Sequence, residues 1–365
     1  MKAWIAESSD GPLRLTERDV PSLRDGEALV HVAAAGLSPM ILKLLRQGRF
    51  GHLPTVVGHE IAGTVIRVGG SATSNLIGRR VRVHPMLSCR SCEYCLMDRE
   101  QLCAQSAMIG AAVHGTPDSL YARYHDGGLA EYVRVPLWLL DPIPDNVSFE
   151  VGAKLHDLAI AYRAMRLADV LPGGTLVITA ATGAMATACV VLAPHFGVGR
   201  VILVGRSRER LRAVEALSPG ILVRSIAIEE LPDDWESTDA LKSRLREVEP
   251  AGAHAVIDFL AQGRGGIQAL QSLRPGGTLV HMGGNPATVD VPLRVLMNRL
   301  WRVVGSRACT RNDVLAVLRL LGSGALNADA LITHRWAFVD AERAFEILAS
   351  RIEPVWMGVV SVSES

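Results

Sequence analysis

Residues 176–186 read Leu-Val-Ile-Thr-Ala-Ala-Thr-Gly-Ala-Met-Ala, an apolar run followed by a turn of small residues. The run predicts a buried strand, and residues 187–195 predict a helix after the turn. Aligned with the pattern Gly-x-Gly-x-x-Gly/Ala, the turn has glycine at the middle position, where the backbone approaches a pyrophosphate. The stretch therefore predicts the first strand, turn and helix of a dinucleotide-binding fold. The predicted cofactor contacts in the turn are Ala181, Thr182, Gly183, Ala184 and Met185.

Strands and helices alternate on both sides of this turn, which predicts a parallel sheet rather than an isolated strand-to-helix turn. The second strand, at 201–204, is followed by Gly205, Arg206, Ser207 and Arg208. No acid is present there to bond the ribose hydroxyls of NAD, and the two guanidinium groups suit a phosphate. These four residues are therefore predicted to contact the cofactor and to favour NADPH. The alternative is that both arginines belong to a solvated helix start.

Residues 1–150 predict a different kind of domain, with short strands such as 28–33 and 61–68 and frequent glycine and proline. A helix is predicted over 151–167, and further strands over 255–259 and 278–282. The later part of the chain predicts a strand at 301–306, helices at 313–321 and 340–348, and a strand at 356–362. The charged stretch 226–247 is predicted to be surface helix and loop.

Four cysteines, Cys89, Cys92, Cys95 and Cys103, follow the spacing C-x2-C-x2-C-x7-C. Four thiolates on one short loop are typical of a closed tetrahedral zinc site. Because the thiolates saturate the metal, this zinc is predicted to be structural, in the loop 89–103. The other two cysteines lie in apolar surroundings and are interpreted as inert thiols.

The bulk properties indicate a folded, two-domain protein. The chain has 365 residues, 49% hydrophobic and 21% charged, with a net charge of +1. A near-neutral balance gives no electrostatic reason to expect nucleic acid or an anionic membrane as a partner. The sequence has no signal-peptide pattern and no apolar run long enough to span a bilayer, so we expect a cytoplasmic protein.

The chain resembles the medium-chain, zinc-type alcohol dehydrogenases over nearly its whole length. Besides the cysteines and the turn, the resemblance rests on residues 58–65 (GHEIAGTV), 126–132 (DGGLAEY) and 273–277 (LRPGG). It implies an α/β protein in which a GroES-like, β-rich catalytic domain (1–150 and 298–365) is interrupted by a doubly wound Rossmann domain (151–297). It also implies a small-molecule substrate, an active site in the cleft between the domains, and a homodimer or homotetramer.

The residues that match the family's catalytic zinc site depart from its pattern. Ser38 stands where the first cysteine ligand belongs, His59 matches the second ligand, and His156 replaces the third. Met40 and Lys43 occupy the positions of the hydroxyl and the histidine that relay protons.

Two hypotheses follow for the reacting centre. In one, His59, Glu60 and His156 hold a second zinc that polarises a carbonyl, as in an alcohol dehydrogenase or ketoreductase. In the other, which the sequence favours, this metal is lost and Ser38, His59 and His156 act as hydrogen-bond donors or acids. Hydride transfer from NADPH then needs a substrate that is already electrophilic, such as an enone or an iminium. Residues 36–39 also resemble metal-independent quinone and enone reductases. A third hypothesis is a non-catalytic NADPH-binding protein.

Overall fold

A computed structural model describes residues 1–70, 74–116, 119–217 and 220–362. The chain divides into two compact units: unit 1 comprises Met1–His156 and Cys309–Ser365, and unit 2 comprises Asp157–Ala308. Among the described residues, no helix combines the length and the apolar character needed to cross a bilayer.

The first segment of unit 1 is rich in short strands. In chain order its elements are β1 (Lys2–Ala6), β2 (Leu13–Glu17), β3 (Glu27–Leu37), α1 (Met40–Arg46), β4 (Thr55–Val56), β5 (Glu60–Val68), β6 (Arg80–Val83), β7 (Met86–Leu87), α2 (Glu93–Leu96), β8 (Ala107–Met108), β9 (Ala112–Val113), α3 (Ser119–Tyr124), β10 (Tyr132–Pro136), β11 (Leu140–Pro142) and α4 (Phe149–Ala153).

Helix α5 (Leu155–Ala168) leads the chain into unit 2, where strands and helices alternate. The elements that follow are β12 (Thr175–Ile178), α6 (Ala184–Leu192), β13 (Arg200–Gly205), α7 (Arg208–Glu215), β14 (Leu222–Ala227), α8 (Ala240–Val248), β15 (Ala253–Asp258), α9 (Gly265–Gln271), β16 (Leu273–His281), α10 (Leu293–Arg299) and β17 (Arg302–Gly305). The second segment of unit 1 adds α11 (Arg311–Gly322), β18 (Ile332–Ala337), α12 (Ala341–Ser350) and β19 (Met357–Ser361).

The main sheet of unit 1 has the strand order β11-β6-β5-β3-β19-β18, and β10 also pairs with β3. Strand β3 pairs with β5, β10 and β19, and its residues are buried along nearly the whole length. The core around it draws on both chain segments, with Val30 and Ile61 from the first and Phe345 and Val360 from the second. The β-rich domain predicted from the sequence is confirmed, and the second segment of the chain completes its sheet.

Unit 2 is built on a sheet with the strand order β14-β13-β12-β15-β16-β17, in which all the pairings are parallel. Counted from β12, this is the order 3-2-1-4-5-6 of a dinucleotide-binding fold. Strands β12, β13 and β15 are rich in valine, isoleucine and leucine and are buried on both faces, as parallel strands covered by helices must be. The predicted Rossmann domain is confirmed.

The sequence analysis did not predict α9, α10 or β18, and two of its predictions differ from the structure. The predicted helix over 151–167 is two helices, α4 and α5, because the chain breaks at Lys154, whose φ and ψ are −80° and 5°. The stretch predicted as surface helix and loop begins inside β14. The sequence does not indicate this strand clearly, because Arg224 and Ser225 interrupt its apolar residues and its first four residues are at most partly buried.

Candidate functional site

The four cysteines of the predicted zinc loop lie together in unit 1. Their sulfur atoms are all within 4.8 Å of one another, with 3.5 Å between the sulfurs of Cys92 and Cys95 and 3.9 Å between those of Cys89 and Cys95. Four sulfurs at about 2.3 Å from one zinc ion would be about 3.8 Å apart, so the quartet has the size of a tetrahedral site. A zinc ion held here would have no position open to a substrate.

Backbone amides around the loop point at the sulfur atoms. The Cys92 N–H donates to Cys89 Sγ at 3.3 Å, and the Cys89 N–H donates to Cys103 Sγ at 3.4 Å. Hydrogen bonds from the backbone of Ser91 and Cys92 lower the pKa of Cys89 to about 6, whereas burial raises the pKa of Cys95 to about 12. The chain thus stabilises one thiolate by itself, and a bound dication would ionise the others.

A second group of polar residues is buried in unit 1. His59, Glu60 and His156 are 1%, 0% and 3% exposed. Glu60 is the first residue of β5 and pairs with Gly36 of β3, while His156 lies in the first turn of α5. The rings of His59 and His156 meet edge to face, with their centroids 5.3 Å apart. The structure therefore brings together two of the three predicted catalytic residues.

Ser38, the third predicted residue, follows β3 directly and is half-buried. Its backbone carbonyl accepts a hydrogen bond from the Ile41 N–H at 3.1 Å, at the beginning of α1. Met40 is 40% exposed and Lys43 is also exposed, on the same helix. A thioether gives no proton relay, so α1 does not reproduce the relay of the alcohol dehydrogenases.

Lys154 is a residue of this site that sequence reasoning missed. It is 1% exposed, and its ammonium donates to Glu60 Oε2 at 2.6 Å and to the Leu37 carbonyl at 3.3 Å. Gly36 leaves room for this pair, because a Cβ there would lie 2.4 Å from Glu60 Oε2 and 2.7 Å from Lys154 Cδ. The available signal was a lysine among apolar helix residues, two positions before the predicted ligand His156.

Both histidine side chains of the pocket are neutral at ordinary pH. Burial, followed by the positive charges of Lys154 and Arg82, lowers the pKa of His59 to about 3. Burial also lowers the pKa of His156 well below its usual value, and the neighbouring His59 and Arg82 lower it further. The Nδ1 atom of His156 lies 3.6 Å from Cys309 Sγ. Each neutral ring offers one N–H donor and one acceptor nitrogen.

The pocket does not fit the second zinc that the resemblance allows. Across the residues that the structure describes, the cysteine quartet is the only set of three or more His, Cys, Asp and Glu ligand atoms close enough to share an ion. In addition, Glu60 faces the Lys154 ammonium at 2.6 Å. A dication beside this carboxylate would meet a like charge in a buried, poorly screened position.

The predicted cofactor turn lies between β12 and α6 in unit 2. Ala180 has a φ of +47°, a left-handed conformation that is uncommon for a residue with a side chain. Gly183 is the N-cap of α6, and a Cβ there would meet only the Ala180 carbonyl oxygen, at 3.4 Å. Packing within the chain does not demand glycine at 183, so its open side suits the approach of a phosphate to the helix N-terminus.

The remaining predicted cofactor residues lie at the end of β13 and the beginning of α7, and Arg208 has a carboxylate partner there. Its guanidinium donates to both carboxylate oxygens of Glu230, at 2.8 and 2.5 Å, so its charge is offset within the chain. Gly205 ends β13, Ser207 is the N-cap of α7, and Arg206 is exposed. Of the two arginines, Arg206 is the one whose charge faces solvent without a carboxylate partner among the described residues.

Asp258 and His281 form a second feature that sequence reasoning missed. They end the neighbouring strands β15 and β16, and the His281 Nδ1–H donates to Asp258 Oδ2 at 2.7 Å. Asp258 also accepts a hydrogen bond of 2.5 Å from the Thr179 hydroxyl, and its bond to His281 raises the pKa of that imidazole. Ligands of parallel sheets bind outside the carboxyl ends of the strands. The sequence signal for this pair was that Asp258 and His281 are polar residues within two strands that are otherwise apolar.

Comparisons with known proteins identify the family to which this fold and this site belong. Residues 24–145 match the alcohol dehydrogenase GroES-like domain, and residues 172–323 match the zinc-binding dehydrogenase domain. Sorbitol dehydrogenase of Bombyx mori is 30% identical over 346 residues, which cover 93% of this chain and 92% of that protein. D-xylulose reductase A of Aspergillus oryzae is 28% identical over 91% of this chain and 89% of that protein. The alcohol dehydrogenase of Thermus sp. ATN1 shares the fold, with a TM-score of 0.82 over 100% of both chains and 23% identity.

A β-rich domain, a parallel sheet of this strand order and a thiolate quartet are together the parts of a nicotinamide-dependent oxidoreductase. With the matches above, the chain belongs to the zinc-type alcohol dehydrogenase family of the medium-chain dehydrogenases/reductases. The resemblance read from the sequence is confirmed. Membership implies a nicotinamide cofactor and zinc.

Proposed function

We propose that this chain is an NADPH-dependent reductase of an activated double bond, of the enone or iminium type, in a small organic molecule. The observation that carries the proposal is the composition of the pocket in unit 1. It holds two neutral imidazoles, His59 and His156, and a carboxylate neutralised by Lys154, and Ser38 stands where a thiolate ligand would be. Such a pocket offers hydrogen-bond donors without a Lewis acid.

The chemistry follows from what these side chains can donate. The reduced nicotinamide, when bound, supplies a hydride. Uptake of hydride at the β-carbon of an enone places negative charge on the carbonyl oxygen, and the N–H of a neutral imidazole or the Ser38 hydroxyl can stabilise it. A proton from solvent or from one of these groups then completes the saturated product. An unactivated ketone lacks this conjugation and needs stronger polarisation.

NADPH is proposed over NADH because β13 is followed by Arg206 where an NAD site places an acid. The pairing of Arg208 with Glu230 leaves this preference to Arg206. Arg206→Ala is therefore expected to weaken NADPH binding about tenfold and to leave NADH binding nearly unchanged, measured by calorimetry. Equal loss for both cofactors would count against the assignment.

The reaction type is tested with matched substrates. Purified wild-type protein is given NADPH with 2-cyclohexenone or a cyclic imine, and in parallel with cyclohexanone and D-xylulose. The expected result is a kcat/KM for the activated substrates roughly 100-fold above that for the ketones, because the pocket lacks a Lewis acid. The reverse ranking would overturn the proposal, and tight NADPH binding without turnover on any substrate would point to a non-catalytic protein.

A zinc-dependent alcohol dehydrogenase or ketoreductase remains the second candidate. What favours it is the similarity to proteins named sorbitol dehydrogenase and D-xylulose reductase over more than nine-tenths of the chain. His59 and Glu60 also keep the family's ligand positions. Oxidation of sorbitol with NAD that requires bound zinc and is lost in His59→Ala would support this candidate.

We also propose a homodimer, formed through the edge of the sheet in unit 2. Strand β17 is the edge strand of that sheet, and exposed apolar residues lie on it, on α10 just before it in the sequence, and on the C-cap of α10. These are Leu293, Met297, Leu300 and Val303, which are 82%, 65%, 73% and 43% exposed. A cluster of exposed apolar side chains next to an open strand edge is typical of a subunit interface.

A further inference from the structure

We propose that Lys154 is a built-in cation that takes the place of the second zinc in the pocket of His59, Glu60 and His156. Its ammonium supplies one fixed positive charge to Glu60 and keeps a divalent metal out. This inference deepens the proposed function, since that function assumes a pocket without a Lewis acid. It does not depend on which double bond is reduced.

The geometry of the pair is that of a permanent interaction. The Lys154 Nζ atom lies 2.6 Å from Glu60 Oε2, and the two side chains are 2% and 0% exposed. A second bond of 3.3 Å joins Nζ to the Leu37 carbonyl at the end of β3. An ion pair this deep in unit 1 is weakly screened by solvent, so neither partner is readily released to a metal.

The backbone around the pair is shaped to hold it. The break between α4 and α5 falls at Lys154, and Gly36 on β3 leaves the volume that the lysine stem and the Glu60 carboxylate fill. Any larger residue at 36 would meet both side chains at less than 3 Å. The lysine is therefore fitted into the pocket by three separate parts of the chain.

The neighbouring charges leave Glu60 as the counterion of Lys154. The next buried cation, Arg82, has its own carboxylate, with Nη1 3.2 Å from Asp141 Oδ2, and Arg311 contacts the other oxygen of Asp141. His59 Nε2 lies 4.0 Å from Glu60 Oε1, and its Nδ1 is buried without a hydrogen-bond partner among the described residues. With the carboxylate neutralised by lysine, Glu60 is not an uncompensated anion that would draw a dication towards these imidazoles.

The proposal is tested by counting metals. Wild-type protein and Lys154→Met, which keeps the side-chain volume and removes the charge, are incubated with excess zinc, desalted and analysed by atomic emission. We expect one zinc per chain in the wild type and two in Lys154→Met. X-ray absorption at the zinc edge should show sulfur ligands alone in the wild type and added nitrogen or oxygen ligands in the variant. His156→Ala in the Lys154→Met background should return the count to one.

Lys242→Met is the matched control, because Lys242 is a 39% exposed lysine of α8 and its loss should leave one zinc per chain. Two zinc ions in the wild type, with one lost in His156→Ala, would overturn the proposal. A folded Lys154→Met variant that still binds only one zinc per chain would also overturn it. If Lys154→Met does not fold, the number of zinc ions per chain in the wild type is the test of the proposal. A wild type with one zinc that reduces ketones but not enones would disprove the proposed substrate class and leave the role of Lys154 intact.

Discussion

Several charged side chains in unit 1 are buried together with their partners. Lys154 pairs with Glu60, and Arg82 pairs with Asp141, at exposures of 2% or less for every side chain. Each partner lies far away in the sequence, so the pairs form only when the sheet of unit 1 assembles. Removing one member would leave an uncompensated buried charge, which typically costs about 3–5 kcal/mol.

Glu27 gives a pH-dependent prediction. Burial raises its pKa, but hydrogen bonds from Arg123, the Arg24 backbone and Tyr124 outweigh burial and lower the pKa to about 2. Because the folded-state pKa is below the unfolded value of about 4.3, the ionised group stabilises the fold above that pH, and this contribution is lost as pH falls towards 2. Its size is at most about 3 kcal/mol, because Arg123 is partly exposed and solvent screens the pair.

The test is urea unfolding of wild type and Glu27→Gln between about pH 6 and pH 3. The free energy of unfolding should fall with acid more steeply in the wild type, so that the two proteins converge at low pH. Glu7→Gln, which removes an exposed carboxylate, serves as the control. Parallel curves for wild type and Glu27→Gln would contradict the prediction.

At the scale of elements, the zinc loop has little apolar support of its own. Helix α2 is only four residues long and has no buried residue, and its last residue Leu96 and its C-cap Met97 are 73% and 54% exposed. The small sheet β7-β8-β9 that flanks the loop has strands of two residues each, and its side chains belong to the core of unit 1 rather than to the loop itself. Segments this short do not fold on propensity, so a metal bound by the four thiolates is expected to supply the missing stability.

Removal of zinc is therefore expected to unfold this loop before the rest of unit 1. A chelator, or Cys95→Ser, should raise hydrogen exchange of residues 88–108 at least tenfold and lower the melting temperature, while NADPH binding by unit 2 persists. Cys189→Ala, which alters a buried thiol of unit 2, should keep its zinc and its loop protection. A chelated protein with unchanged exchange in the loop would show that the thiolates are not structural.

How much the sequence could predict also depends on the element. The buried strands β12, β13 and β15 are continuous apolar runs, and the cysteine spacing is a local pattern, so both were predicted. Strand β14 was missed because Arg224 and Ser225 interrupt its apolar residues and only its last two residues are buried. Lys154 was missed because its importance depends on Glu60 and Gly36, which are close to it only after folding. The same holds for Asp258 and His281, which meet across two neighbouring strands.

On the scale of the whole molecule, unit 2 presents an apolar surface that a single chain does not cover within the described residues. The exposed apolar side chains lie on α10, on its C-cap Leu300 and on β17, the edge strand of the sheet. Leu293→Glu combined with Met297→Glu should raise the dimer Kd at least about 100-fold, which corresponds to about 3 kcal/mol, because two charges per chain would be buried.

Light scattering after size exclusion measures this effect, with a halved mass expected for the double variant at micromolar concentration. Leu171→Glu, a change at another exposed leucine of unit 2, is the control and should keep the mass of the wild type. A wild type that is monomeric under these conditions would remove the basis of the proposed interface.

The position of β19 in the sheet of unit 1 has a consequence for biosynthesis. Strand β19 pairs with both β3 and β18, yet the ribosome makes it only after all of unit 2. At translation rates of about 5–20 residues per second, the segment from residue 309 onward takes several seconds to emerge. The nascent chain is therefore expected to carry a folded unit 2 while β3 still has an open edge. In that interval the amino-terminal half is a natural client for chaperones that shield unpaired strands.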